Sequence, residues 1–156
     1  MNKPRVLFLC TGNSCRSQMA EGWARHFGAV EPSSAGLNLN PLNPLAVQVM
    51  AEAGVDISQQ RPKHLDELQG KYDFVITVCD SAHEACPLLP AKVKRLHVGF
   101  DDPPRLAQSQ PTEEAKLPIY RRVRDEIRDF VAALSHRTGS RRRSGPSECG
   151  ELAGYR

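Results

Sequence analysis

The chain reads as a single-domain α/β protein: a four-stranded parallel sheet with helices on both faces and an anion-binding loop directly after the first strand. Three observations predict this. Short apolar β-type runs alternate with segments whose apolar residues recur at helical spacing, the pattern of strands joined by right-handed crossovers. The first run stops abruptly at Cys10, and residues of turn composition separate it from the next helix. Helix start and stop signals then punctuate the chain: Asn43 before Pro44, and Gly54 after the run that follows.

Taken in order, residues 5–9 form the first strand and Thr11, Gly12, Asn13 and Ser14 the turn after it. Residues 16–27 predict an amphipathic helix with Met19, Trp23 and Phe27 on its inner face. A second strand is expected near residues 30–34, closing at Ala35 and Gly36. Asn43 caps a helix reaching about Ala53, and residues 65–68 suggest a short helix. Residues 73–78 and 94–98 supply the third and fourth strands. Residues 105–116, rich in polar residues with Pro111 inside, read as a loop. The last helix is expected over residues 118–134, with Ile119, Val123, Ile127 and Phe130 turned inward. The chain contains no internal repeat.

A chain of 156 residues can bury a real core. No stretch approaches the roughly 20 apolar residues a membrane helix needs, and the run from Val6 to Leu9 is shorter than the about 7–15 residues of a signal-peptide core. A cytoplasmic protein is expected, with its five cysteines mostly thiols. In that compartment cysteines at informative spacings point to catalysis or metal binding before structural disulfides. The net charge of +3 lies in residues 137–156, where five arginines oppose two glutamates (5 − 2 = +3), leaving residues 1–136 neutral. The reading is a domain over 1–136 and a basic, disordered tail over 137–156, with no nucleic-acid face on the folded body. Nothing points to an obligate dimer, so a monomer is expected.

The chemistry concentrates in Cys10-Thr11-Gly12-Asn13-Ser14-Cys15-Arg16-Ser17. Cys-x5-Arg is a weak pattern by itself, but here the cysteine ends a strand and the arginine opens a helix. Ligands of parallel sheets bind at such strand ends. The loop N–H groups and the positive end of the helix dipole make a cradle for a tetrahedral oxyanion, and Arg16 adds a planar fork. Residues 11–17 are thus the candidate substrate-binding loop. The same field is expected to depress the pKa of Cys10 and hold it as a thiolate nucleophile.

This segment, continued through Gln18-Met19-Ala20-Glu21-Gly22-Trp23, resembles the P-loop of the low-molecular-weight phosphotyrosine phosphatase fold, and specifically its arsenate-reductase branch. The resemblance covers about residues 3–135. It implies that Cys10 is the nucleophile and Arg16 the oxyanion ligand. It also implies that Asp102, directly before Pro103, is the general acid in preference to Asp101. The reductase branch further carries a Cys-x6-Cys-Pro segment, which Cys79 and Cys86-Pro87 match. Reducing As(V) to As(III) takes two electrons, so a lone Cys10 thiolate does not suffice. The resemblance implies a relay in which Cys79 forms a Cys10–Cys79 disulfide, Cys86 resolves it to Cys79–Cys86, and thioredoxin reduces the product. A mobile segment over residues 80–89 is expected, with no cofactor, no metal and a weak phosphatase side activity.

Where the phosphatases place tyrosines to line a phosphotyrosine slot, this chain has Pro104, Arg105 and Leu106. Two other readings stay open: a low-molecular-weight protein tyrosine phosphatase under thiol control, and a zinc or arsenite sensor built from Cys10, Cys79, His83 and Cys86. Cys15 is expected to be dispensable and Cys149 to be free in the tail. Asn13 is expected to hold the loop shape, supported by Glu21 and Ser34. His26, His64 and His97 are read as having no catalytic duty. Some relatives in the reductase branch bind potassium beside the P-loop. The resemblance assigns that site Asn13, Glu21 and Ser34 here, with Lys63 in place of an aspartate.

Overall fold

The computed structural model describes residues 3–68, 71–79 and 94–140. β1 (Arg5–Cys10) lies inside the sheet because its residues are apolar without alternation. Val6, Leu7, Phe8 and Leu9 are all at most 1% exposed, and since successive side chains point to opposite faces, both faces of the sheet are covered. β2 (Glu31–Gly36) pairs on one side of β1, and β3 (Phe74–Thr77) on the other, followed by β4 (Lys94–His97). All pairings are parallel and the order is β2-β1-β3-β4. The chain leaves β1 toward β2 and returns past β1 to β3. That reversal opens a crevice beyond the carboxyl ends of β1 and β3, where ligands of such sheets bind.

α1 (Arg16–Phe27) ends at Gly28, whose φ of 74° lets its N–H bond the Ala24 carbonyl at 3.0 Å. Met19, Ala20, Trp23 and Ala24 are buried against the core. Phe27, expected on this inner face, is instead exposed at 38%. It sits at the last helical residue and stacks on Trp23 at 5.8 Å. α2 (Pro44–Glu52) starts as the sequence predicts: Asn43 Oδ1 accepts from the N–H groups of Leu45 (2.8 Å) and Ala46 (3.2 Å). A 3₁₀ turn, Leu65–Glu67, occupies the expected short helix.

Residues 105–116 are not the expected loop. Asp102 is followed by a single helical turn, α3 (Pro103–Leu106), and a 3₁₀ turn, Ala107–Ser109. Two prolines preset φ for the first turn, and Ala107, 1% exposed, anchors the second in the core. α4 (Glu113–Ser140) begins five residues before Pro118, because Thr112 Oγ1 accepts from the Ala115 N–H at 3.1 Å and caps the helix there. Pro118 removes only the bond that would close on the Glu114 carbonyl near the exposed helix start. The helix continues to Ser140, into the stretch read as tail. Tyr120, Val123, Ile127, Phe130, Val131 and Leu134 form its buried stripe, while Ile119 is only half-buried. α4 packs against α1 and α2, and Phe130 meets Phe100 edge-on at 5.9 Å. Among the described residues no helix is long and apolar enough to cross a membrane.

Candidate active site

The loop after β1 is shaped from behind. Asn13 adopts a φ of 51°, unusual for a residue with a side chain, and is fully buried. Its Nδ2 donates to the hydroxyls of Ser17 and Ser34, both at 2.9 Å, and its Oδ1 accepts from the Lys63 N–H at 2.7 Å. Gln18 Nε2 donates to the Asn13 carbonyl at 2.9 Å. Gly36, at the end of β2, lets this loop lie against the strand: a Cβ there would stand 2.7 Å from the Thr11 carbonyl oxygen and 2.9 Å from the Asn13 nitrogen.

The loop carbonyls are occupied from outside. Those of Thr11, Gly12 and Ser14 accept from the N–H groups of Leu37 and Asn38, of Asn40, and of Asn43 at 2.9–3.0 Å. Turning these carbonyls outward leaves the opposite side of the loop, with the N-terminus of α1, to face the crevice. The crevice encloses about 700 Å³. Its walls include Cys10, Thr11, Gly12, Ser14, Cys15 and Arg16 from the loop, and Cys79 from the residues after β3. Of the candidate substrate-binding residues, Asn13 and Ser17 do not line it; their side chains belong to the supporting network.

Arg16 is clamped across the mouth of the sheet. Its Nη1 donates to the Phe100 carbonyl at 2.9 Å and approaches the Val78 carbonyl at 3.4 Å, and its Nη2 lies 3.6 Å from Asp102 Oδ1. Its Nε is buried and has no hydrogen-bond partner, a donor left for a ligand oxygen. Asp102 caps α3 on the cavity wall, whereas Asp101 pairs with Arg122 at 3.1 Å. The geometry therefore joins Asp102, not Asp101, to Arg16.

Cys79 is buried at 5% exposure and sits against the loop. Its Sγ lies 3.3 Å from both the N–H and the hydroxyl of Thr11, the residue next to Cys10. Cys10 and Cys79 are hydrogen-bonded to each other. This corrects the expectation for Cys10. The bond to Cys79 and burial push its pKa well above the ordinary thiol value, and Arg16 and the Thr11 N–H offset this only in part. Burial pushes Cys15 up to about 12, against a smaller opposing pull from Arg16. Cys10, Cys15 and Cys79 are free of disulfides. Cys86, His83, Cys149 and the segment expected to be mobile lie outside the described residues.

Beside the loop, Ser34 Oγ donates to Glu21 Oε1 at 2.6 Å, Arg25 pairs with Glu21, and Lys63 Nζ stands 3.8 Å from Glu21 Oε1. Lys63 thus occupies the neighbourhood of the cation site that the resemblance raised. Sequence reasoning missed Asn40, His97, Gly99 and Arg105, which also line the cavity. His97 ends β4 and its Nδ1 lies 2.8 Å from Thr77 Oγ1. Its place at a strand end was the available signal, and for Arg105 it was the position just after Asp102-Pro103 that the resemblance assigns to the slot lining; Asn40 carried none.

The family model described as low molecular weight phosphotyrosine protein phosphatase matches residues 5–143. An arsenate reductase of Bacillus licheniformis is 52% identical over 134 residues, covering 84% of this chain and 94% of that protein. A solved structure described as an arsenate reductase in the phosphate binding state superposes with a TM-score of 0.68 at 32% identity, covering 86% and 98% of the two chains. The low molecular weight protein tyrosine phosphatase of T. tengcongensis superposes with a TM-score of 0.69 at 29% identity, covering 86% and 99%. With a P-loop cysteine, its clamped arginine and an Asp-Pro in one crevice, and relatives of this likeness, the chain belongs to the low molecular weight phosphotyrosine protein phosphatase family, among its arsenate-reductase members.

Proposed function

We propose that the protein reduces arsenate to arsenite through a three-cysteine relay and is regenerated by thioredoxin in the cytoplasm. The observation that carries this reading is the buried Cys79 thiol held against Thr11 and Cys10 inside an oxyanion cradle. A phosphatase needs the nucleophile, the arginine and the acid, but not a second thiol.

In the proposed cycle the loop N–H groups, Arg16 and the positive end of α1 hold the arsenate oxygens. The Cys10 proton passes to the incoming dianion. The Cys10 sulfur then bonds to As(V), and water leaves as Asp102 protonates the departing oxygen. Next the Cys79 thiol, held against the N–H and hydroxyl of Thr11, attacks Cys10 Sγ, and its proton passes to an oxygen of the departing arsenite. The S–As electron pair goes to arsenic, As(III) leaves as arsenite, and a Cys10–Cys79 disulfide remains. Cys86 exchanges with it to give Cys79–Cys86, and a thioredoxin dithiol restores the thiols. The curated arsenate reductases at about half identity support the substrate.

The deciding experiment follows arsenate turnover with thioredoxin, thioredoxin reductase and NADPH, and with glutathione and glutaredoxin in parallel. Cys79→Ser and Cys86→Ser are expected to abolish turnover while slow aryl phosphate hydrolysis, which needs only Cys10, Arg16 and Asp102, survives. Cys86→Ser is expected to accumulate the Cys10–Cys79 disulfide. Normal arsenate reduction by both variants refutes the relay. Efficient aryl phosphate turnover without arsenate reduction makes the protein a phosphatase.

A further inference from the structure

We propose that Arg105 captures the oxyanion at the mouth of the cavity, a second guanidinium that draws doubly charged tetrahedral anions toward Arg16. This rests on the reading of the cavity as an oxyanion site.

Arg105 lines the same cavity as Arg16 and Asp102. It stands three residues after Asp102 on the single turn of α3, the spacing that puts two side chains on one helical face. Pro103 and Pro104 stiffen that turn, and the Leu106 N–H bonds the Asp102 carbonyl at 3.0 Å, so the acid and the guanidinium move as a unit. Arg105 is exposed and has no hydrogen bond or ion pair among the described residues. By contrast Arg5, Arg25, Arg61, Arg121, Arg122, Arg124 and Arg128 each have a carboxylate partner.

The charges on the cavity wall call for such a group. Arg16 is offset by Asp102 at 3.6 Å, and Asp101 by Arg122 at 3.1 Å. At the mouth these pairs leave no side-chain charge unpaired, so a dianion on its way to the loop N–H groups and the positive end of α1 would meet no free positive charge there. Arg105 supplies it, and its guanidinium fork suits two oxygens of one anion.

The test uses the full chain with Arg105→Ala, Arg105→Glu and Arg105→Lys. Cys10 is alkylated with anionic iodoacetate and with neutral iodoacetamide, and the modified peptide is identified by mass. The ratio of the two rates cancels any change in thiolate fraction and reports the field at the mouth. Arg105→Ala is expected to lower that ratio about three- to tenfold, Arg105→Glu further, and Arg105→Lys little. For arsenate, Arg105→Ala should raise KM by a similar factor, lower kcat less, and flatten the salt dependence of kcat/KM. An alkylation ratio unchanged in both Arg105→Ala and Arg105→Glu overturns the proposal. If the unaltered protein does not reduce arsenate yet the ratio responds, the proposed reaction fails and the role of Arg105 stands.

Discussion

Replacing Asn13 by alanine tests whether the loop is held from behind by a single side chain. The substitution removes three buried or half-buried hydrogen bonds: to Ser17 and Ser34 at 2.9 Å and from the Lys63 N–H at 2.7 Å. At about 1 kcal/mol each these amount to about 3 kcal/mol, because the groups left behind cannot reach water freely. Alanine must also adopt the left-handed φ of 51°, which costs a further 1 kcal/mol or so. The total of about 4 kcal/mol corresponds to a Tm lowered by roughly 10–15 °C for a domain of this size. Asn13→Gly makes the same hydrogen-bond deletions without the steric cost and should be about 1 kcal/mol less damaging than alanine. Urea unfolding of the three proteins, read by Trp23 fluorescence, measures both differences. An Asn13→Ala protein within about 1 kcal/mol of the parent, or one more stable than Asn13→Gly, would refute the account of the loop.

Gly36→Ala drives a Cβ to within 2.7 Å of the Thr11 oxygen and 2.9 Å of the Asn13 nitrogen, so it should cut kcat/KM more than a hundredfold, about 3 kcal/mol, while secondary structure by circular dichroism persists. Potassium should have no specific effect on Tm or KM, since the Lys63 ammonium 3.8 Å from Glu21 supplies the positive charge; Lys63→Asp should create potassium-dependent stabilisation, and potassium stabilising the parent would contradict this. Cys15 is a thiol raised to about 12 from an ordinary 9.0, so above pH 9 the unfolded chain has lost a proton the native state keeps, and stability falls as pH rises toward 12. Unfolding free energies between pH 8 and 10.5 should show Cys15→Ala with a shallower decline, by up to about 1.4 kcal/mol per pH unit, and identical slopes would count against it.

Much of this molecule was local enough to be read along the chain. The first strand, α1 and its end, the Asn43–Pro44 cap and the parallel character of the sheet follow from apolar periodicity, strand–helix alternation and capping chemistry. The loop from Cys10 to Ser17 announced an oxyanion site because strand end, turn and helix start adjoin in sequence. What the sequence could not supply was anything set by contacts between distant segments. Phe27 satisfies the helical period yet lies outside the core, since the period does not say where the core ends. The helical turn over Pro103–Leu106 forms where polar composition suggested a loop, because Ala107 has a core site waiting for it. Arg16 is aimed by the carbonyl of Phe100, 84 residues away, and Cys79 meets Thr11 across 68 residues. The direction in which the Cys10 pKa moves was not legible for the same reason: helix dipole and guanidinium were visible in the sequence, but the partner thiol and the burial that push it up exist only once β1 and β3 lie side by side.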